Sequence, residues 1–442
     1  MVQRRFRARD STMVATEGAS LRAQGPLPLR NRHLSFSLMP ARPSEREVDE
    51  FLTRAMSQVI VKEELAKQLR AGERQLRIKQ GFDPTHPNLH IGHAVPLRKL
   101  KRFAEWGHEI VIIVGDWTTQ IGDPTDRDDA RPTMSHEKVL ENAQTYLDQF
   151  HKIVPREGVR IVMQSEWFGK FGLGDVIRLA SRFTTQQMLA REEFRKRLEK
   201  KTPIPIKDIL YPLLQAYDSV AIESDVEVGG TDQLFNILAG RELQEQIGQR
   251  PQSVFINQLL EGLDGEKMSK SKPATAIWLT DPPNDVYGKV MSIEDKLMSH
   301  YFEWATELPM SEVQATLRAI AAKELHPREA KRKLARTITT ELHSAAAAEE
   351  AERAFDRVHK EGGAPVDMPT IDVKANGAKE ISIVDLLVLA KLAPSKAAAR
   401  RLVEQNGVRV EGELAKLDTS VAVKGEPWVQ VGKRSFARIR FR

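Results

Sequence analysis

Residues 43–442 predict a doubly wound parallel-sheet α/β region, then a helical segment, then a small α+β module. Three observations carry this. Short apolar runs that read as buried strands alternate with helical segments up to about Pro282. Strand signals then stop, and residues 286–360 keep a helical period with Glu-, Lys- and Arg-rich faces. The chain closes on two short helices and three short strands.

Taken in order, residues 1–42 come first, with eight arginines against two acids (Asp10, Glu17) and no clear period. They fit a transit peptide, an unfolded arm, or an extension upstream of a start at Met13 or Met39; the favoured reading is a non-folded extension. A helical pattern runs from residue 46 through Phe51, Met56, Ile60 and Leu65. Gln75–Gly81 reads as a strand, followed by a loop and a helix through Lys99–Trp106. Glu109–Gly115 is a continuous apolar run ended by glycine, as in a buried parallel strand. Val159–Gln164 and Ser253–Asn257 look like two more. In such a sheet, ligands bind at the strand C-terminal ends. Residues 361–380 hold Gly, Pro, Asn and scattered charge and read as a linker. Helices then span Ile383–Lys391 and the stretch after Ser395, an N-cap, with Asn406-Gly407 ending the second. Val408–Val410, Trp428–Val431 and Ala437–Phe441 are the last strands.

Composition sets bounds on function. The net charge of +6 hides +6 in residues 1–42 and +6 in residues 379–442, leaving −6 between them. A basic C-terminal end fits a polyanion partner or, equally, a solvated surface. The absence of cysteine excludes disulfides, cysteine zinc sites and thiol catalysis. No run of eighteen apolar residues suggests a membrane span.

Two motifs carry chemistry. His90-Ile91-Gly92-His93 opens a helix after the strand that ends at Gly81-Phe82-Asp83-Pro84-Thr85. A helix start offers unpaired N–H groups and a positive dipole end to phosphate. His90 and His93 share a face, Gly92 leaves room for a nucleotide, and Pro96 lies near the first turn. Two histidines alone also fit a polar surface; a metal site lacks a third ligand of suitable spacing. The second motif, Lys267-Met268-Ser269-Lys270-Ser271, lies on a glycine-flanked loop. Such a loop can close over a triphosphate and offset the charge of leaving pyrophosphate.

Between the motifs, Asp116 and Asp123 follow a core strand. Tyr211, Gln215 and Asp218 share one helix face, which reads either as a polar pocket wall or as an amphipathic helix turned to solvent. Gly229-Gly230-Thr231-Asp232-Gln233 permits close backbone approach beside an acid suited to ribose hydroxyls, or is a plain turn.

These segments, GFDPT, HIGH, GDPT, YPLLQAYDS, VGGTDQ and KMSKS in that order, resemble the tyrosyl-tRNA synthetases among class I aminoacyl-tRNA synthetases, over residues 45–442. The resemblance implies adenylation of L-tyrosine with Mg2+-ATP as substrate, transfer to the 3′-terminal ribose of tRNA(Tyr), no protein-bound metal, no membrane, and a homodimer. It implies a cytoplasmic protein, or an organellar one if residues 1–42 are a transit peptide. Asp83, Thr85, His90, Gly92 and His93 would contact ATP, Gly230 and Asp232 its adenosine, and Lys267 and Lys270 its phosphates. Asp123, Tyr211 and Gln215 would hold the tyrosine ammonium, Asp218 would accept the phenol hydrogen, and Gln233 would lie near the carboxylate. Arg127 and Arg131 stand where the family has a second basic loop. Some members carry a tyrosine where this chain has Lys79. The last segment resembles an S-four-like RNA-binding module with Lys396, Arg400 and Arg401 on its second helix. The implied division is an extension over 1–42, a Rossmann-like catalytic domain over 43–285, a helical domain over 286–365, a linker over 366–378 and the RNA-binding module over 379–442.

Overall fold

The computed structural model describes residues 41–124, 134–270, 272–359, 368–432 and 435–442. Ala41 already donates its N–H to the Trp106 carbonyl at 2.9 Å, so the extension expected to residue 42 ends earlier. Its residues 1–40 lie outside the described part. Helix α1 (Glu45–Phe51) starts on a capping box in which Ser44 and Glu47 satisfy each other's backbone N–H. The continuous helical pattern expected from residue 46 to 65 is corrected. Ala55 and Val61 take left-handed backbone angles, φ 56° and 64°, on either side of strand β1 (Met56–Ile60), and α2 (Lys62–Ala71) follows. Neither residue type favours that region, so its cost is recovered from pairing, which the local sequence does not display.

The alternation then runs β2 (Arg77–Phe82), α3 (Ile91–Glu105), β3 (Glu109–Val114), α4 (Thr118–Ile121), α5 (His136–Phe150) and β4 (Val159–Met163). Helices α6 (Ser165–Phe168), α7 (Leu173–Ala180), α8 (Thr185–Leu189), α9 (Glu192–Glu199) and α10 (Ile206–Ala221) lead into β5 (Val226–Gly230), α11 (Leu234–Gln246) and β6 (Ser253–Asn257). Strand β5 was not legible, because Glu227 interrupts its apolar run. The sheet order is β1-β6-β5-β2-β3-β4, with β1 antiparallel to β6 and the other pairs parallel. From β2 the chain winds outward through β3 and β4, then resumes on the other side with β5 and β6. The order therefore reverses between β2 and β5, the position past whose strand C-terminal ends such sheets bind ligands.

Helices α12 (Pro283–Met291), α13 (Met298–Trp304), α14 (Met310–Ala321), α15 (Pro327–Leu342) and α16 (Ala345–His359) follow. One buried apolar core runs from Val48, Phe103 and Ile110 through Tyr287, Tyr301 and Leu334 to Ala351, so packing is continuous across residue 285.

The C-terminal segment contains β7 (Thr370–Val373), β8 (Glu380–Ser382), α17 (Ile383–Leu389), α18 (Lys396–Glu404), β9 (Val408–Val410), β10 (Glu413–Leu414), β11 (Ser420–Ala422), β12 (Trp428–Val431) and β13 (Ser435–Phe441). The linker expected over 366–378 is corrected where it is described: β7 pairs in parallel with β13 and completes the sheet β10-β9-β12-β13-β7. Pairing to a strand about seventy residues away, with Val373 buried, orders a stretch whose composition suggests a loop. This segment has its own core, including Val373, Leu386, Ala399, Val429 and Ile439. Ser395 caps α18 as expected, accepting the Ala398 N–H at 3.2 Å. Asn406, not Gly407, takes the left-handed angle after that helix (φ 56°).

Candidate active site

His90 is the N-cap of α3, and its backbone N–H donates to Nδ1 of His93 at 3.2 Å. The two rings lie 3.8 Å apart. Burial lowers His90 to about 3 and His93 well below the ordinary histidine range, helped by the positive charges of Lys270 and Lys267. Both imidazoles are neutral at pH 7, and with its Nδ1 accepting, His93 carries its proton on Nε2. Backbone bonds fix this helix start: Ile91 donates to Ile277 and Leu89 accepts from Leu279. The Trp278 ring stands near both His86 and His90. A Cβ on Gly92 would lie 2.9 Å from His90 Nδ1, so this glycine makes room for the histidine ring itself. Pro96 falls in the second turn rather than the first, leaving the Gly92 carbonyl without its helical donor.

The second motif faces the first. Met268 is buried in the main core and its N–H donates to Leu260, which anchors the middle of the loop. Lys267 pairs with Asp232 at 2.8 Å, joining the loop to the turn after β5. A Cβ on Gly230 would meet Asp232 at 2.6 Å and Leu259 at 2.8 Å, which explains the glycine.

Between the motifs, Tyr211 on α10 donates its hydroxyl to Asp83 at 2.9 Å, and Thr118 donates to the other Asp83 oxygen at 2.6 Å. Gln233 donates to Asp123 at 2.8 Å, and the buried Arg191 reaches the other Asp123 oxygen at 3.5 Å. Asp218 accepts from Gln164 at 2.7 Å and from Trp167 at 3.2 Å. Burial pushes its carboxyl up to about 7, against the pull of Lys79 and of those two hydrogen bonds. Tyr211 and Asp218 are both buried, so this α10 face does not turn to solvent. Gln215 lies 3.4 Å from Glu227, at the long end of a hydrogen bond. Thr85 is held in the turn after Asp83 by a backbone bond of 2.8 Å.

Contacts thus join the sequence-predicted residues in groups: His90 and His93 feel the charges of Lys267 and Lys270, Lys267 pairs with Asp232, and Gln233 bonds Asp123. Tyr211 bonds Asp83, which Thr118 and Gln164 connect to Asp218. Thr85, Gly92, Gln215 and Gly230 adjoin these groups along the chain. Arg127, Arg131 and Ser271 lie outside the described residues. Lys396, Arg400 and Arg401 stand elsewhere, exposed on α18, with Lys396 paired to Asp385 at 2.7 Å. Sequence reading missed Thr118, Gln164, Trp167, Arg191 and Glu227. Gln164 directly follows a strand, which marks a site position in such sheets; Arg191 sits in a basic run and gives no signal. Among the described residues no group of three or more His, Asp or Glu is placed to hold a metal ion, and no helix is long and apolar enough to cross a membrane.

Residues 70–360 match the family of tRNA synthetases class I (W and Y), and residues 361–427 match the tyrosine–tRNA ligase SYY-like C-terminal domain. A tyrosine–tRNA ligase of Dehalococcoides mccartyi is 46% identical over 397 residues, covering 89% of this chain and 99% of its own length. The chain belongs to the tyrosine–tRNA ligases. A second ligase, from Thermotoga maritima, is 44% identical over 88% of this chain and 96% of its own length. Among solved structures, the tyrosyl-tRNA synthetase of Archaeoglobus fulgidus, complexed with L-tyrosine, superposes with a TM-score of 0.56. It covers 70% of this chain and 99% of its own at 22% identity, a likeness of fold. The C-terminally truncated mitochondrial tyrosyl-tRNA synthetase of Aspergillus nidulans gives 0.57 at 21% identity, covering 70% and 93%. In this ligase, the two neutral imidazoles of the first motif thus lie within electrostatic reach of the two lysines of the second.

Proposed function

We propose that this site performs the ligase reaction in two steps. The tyrosine carboxylate attacks the α-phosphate of Mg2+-ATP in line, pyrophosphate leaves, and a 3′-terminal ribose hydroxyl of tRNA(Tyr) then takes the tyrosyl group from the adenylate. The observation that supports this is that His90 and His93 lie within electrostatic reach of Lys267 and Lys270, while Tyr211 and Asp218 are tied through Asp83, Thr118 and Gln164.

The neutral imidazoles donate N–H hydrogen bonds to phosphate oxygens, and Lys267 and Lys270 supply the positive charge that the leaving pyrophosphate needs. Asp83, Thr85 and Gly92 border the ATP, and Gly230 and Asp232 border its adenosine. Nucleotide entry exchanges the Lys267–Asp232 pair for phosphate on the lysine and ribose hydroxyls on the acid. Asp123, Tyr211 and Gln215 hold the tyrosine ammonium, and Gln233, fixed on Asp123, lies beside the carboxylate. Arg127 and Arg131 are assigned to a second phosphate-binding loop. Mg2+ enters with ATP. Catalysis is positioning and charge stabilisation, which suits a chain without cysteine.

Lys396, Arg400 and Arg401 are assigned to the tRNA backbone; the exposure of the two arginines supports this. Residues 43–285 act as the catalytic domain, 286–365 as a helical domain, and 379–442 together with β7 as the RNA-binding module. The chain is assigned to the cytoplasm, or to an organelle if residues 1–42 direct it there. A homodimer is supported by apolar side chains left in solvent, Leu173 and Ile177 on α7 and Ile161 on the edge strand β4.

Asp218 sets the substrate. A site built to hydrogen-bond a hydroxyl rejects the analogue lacking it, a rule for which this enzyme family is itself an established example. Pyrophosphate exchange with Asp218→Ala tests the reading. The preference for tyrosine over phenylalanine should fall at least tenfold; an unchanged preference would show that the phenol is read elsewhere.

A further inference from the structure

Lys79 is fully buried and lies directly opposite Glu227 in the β2–β5 register. Its ammonium contacts Glu227 at 2.9 Å, the Ser219 hydroxyl at 2.7 Å and the Gln215 carbonyl at 3.1 Å. Ser219 follows Asp218 and Gln215 precedes it by three residues, so the ammonium is seated against the turn of α10 that carries Asp218. Ser219 donates in turn to Glu227 at 2.9 Å, which locks the pair in place.

We propose that Lys79 is a positioning residue for tyrosine recognition: its buried ammonium, seated on the turn of α10 that carries Asp218, favours the carboxylate form that accepts the phenol hydrogen. This rests on the reading of Asp218 given above.

Two features support it. First, Asp218 is surrounded by donors. Gln164 is oriented by Thr118, whose backbone N–H donates to its Oε1 at 3.0 Å, so its amide NH2 points at Asp218. Trp167 donates to the other oxygen. A protonated carboxyl would turn its own hydrogen against one of these donors. Second, burial opposes ionisation and leaves the group balanced near neutrality, where a neighbouring charge decides its state. The charges acting on Asp218 are Lys79 from β2 and Glu227 from β5, and the lowering by Lys79 outweighs the raising by Glu227. Helix α6 and the residue before it present the uncharged Trp167 and Gln164. From α7 and α11, Leu179, Ala239 and Leu243 pack on α10 without charge; Asp175 of α7 bears on Tyr217 instead. A buried ion pair gives little net stability relative to apolar residues of similar volume, so stability alone does not account for a lysine here.

The test is the pH profile of kcat/KM for tyrosine in pyrophosphate exchange. The parent, Lys79→Met, Lys79→Met with Glu227→Gln, and Asp218→Asn are compared between about pH 5.5 and 9. The parent should lose activity through an acid limb centred near 7. In Lys79→Met the limb should move up by about one pH unit, a loss of about tenfold on that limb, expressed mainly in KM and recovered toward pH 9. The double variant, which leaves no unpaired buried charge, should also move upward; it serves as the readout if the single variant does not fold. A limb unmoved in both, with loss uniform across pH, would overturn the proposal and leave Lys79 a structural residue. Asp218→Asn separates the two levels: if it keeps the limb and the preference for tyrosine, the reading of Asp218 itself fails.

Discussion

At the residue scale, neutral histidines and charged lysines are proposed to divide the work on the triphosphate. His90 is placed so closely against Gly92 that the glycine can be tested by itself. Alanine is the better helix former by about 1 kcal/mol, so Gly92→Ala should leave stability within about that margin. Its Cβ, however, would stand 2.9 Å from His90 Nδ1 and displace the ring. Adenylate formation should therefore slow at least tenfold while the melting temperature hardly changes; a variant with the parent's rate would show that the ring position is unimportant. Residue types in short motifs suggested this site, because phosphate and tyrosine chemistry would need those groups at the ends of strands. What the motifs did not announce are the side chains around them. Gln164, Trp167 and Glu227 are brought around α10 by the folding of β4, α6 and β5, and only Gln164, directly after a strand, carries a local signal.

At the element scale, β3 was legible because its run is apolar and ends at glycine, and β2 because a short stretch ending at Gly81 precedes a loop and a helix. Strand β1 was hidden inside a helical period, and β7 inside a loop-like composition; both exist through long-range pairing. The β2–β3 junction also makes a prediction about pH. His108, just before β3, is buried and accepts the Leu76 N–H at 3.3 Å, and burial lowers it to about 4. Its folded-state pKa is depressed, so the unfolded chain takes up the proton first. The stability it contributes is present above the ordinary value of 6.5 and is lost as pH falls from there toward 4. At pH 5 this loss is about 2 kcal/mol. His108→Gln keeps an acceptor without the titration and should lose about that much less than the parent between pH 7 and pH 5 in urea unfolding. Equal losses in the two proteins would contradict the assignment. His90 and His93 should remain as a residual dependence of the same sign.

At the scale of the whole molecule, the sheet and helices α12–α16 share one core, while the C-terminal segment has another. The loop of the second motif is tied into the shared part: Glu261 at its base is paired with His300 at 2.9 Å and its carbonyl accepts the Tyr301 hydroxyl at 2.7 Å. Helix α13 thus braces the loop that carries Lys267 and Lys270. Assembly is tested by sedimentation. The parent should run as a dimer, and Leu173→Asp with Ile177→Asp should bring it to the mass of one chain; a parent that is already monomeric would remove α7 from the interface. The central claim is that the two motifs clamp a triphosphate during tyrosine activation. It is tested most directly by single-turnover formation of tyrosyl-adenylate in His90→Ala and Lys267→Ala. Loss of one preorganised donor costs about 3 to 4 kcal/mol. Each variant should therefore slow the step at least a hundredfold while tyrosine affinity stays within about threefold of the parent. Rates within a few-fold of the parent in both variants would contradict the account.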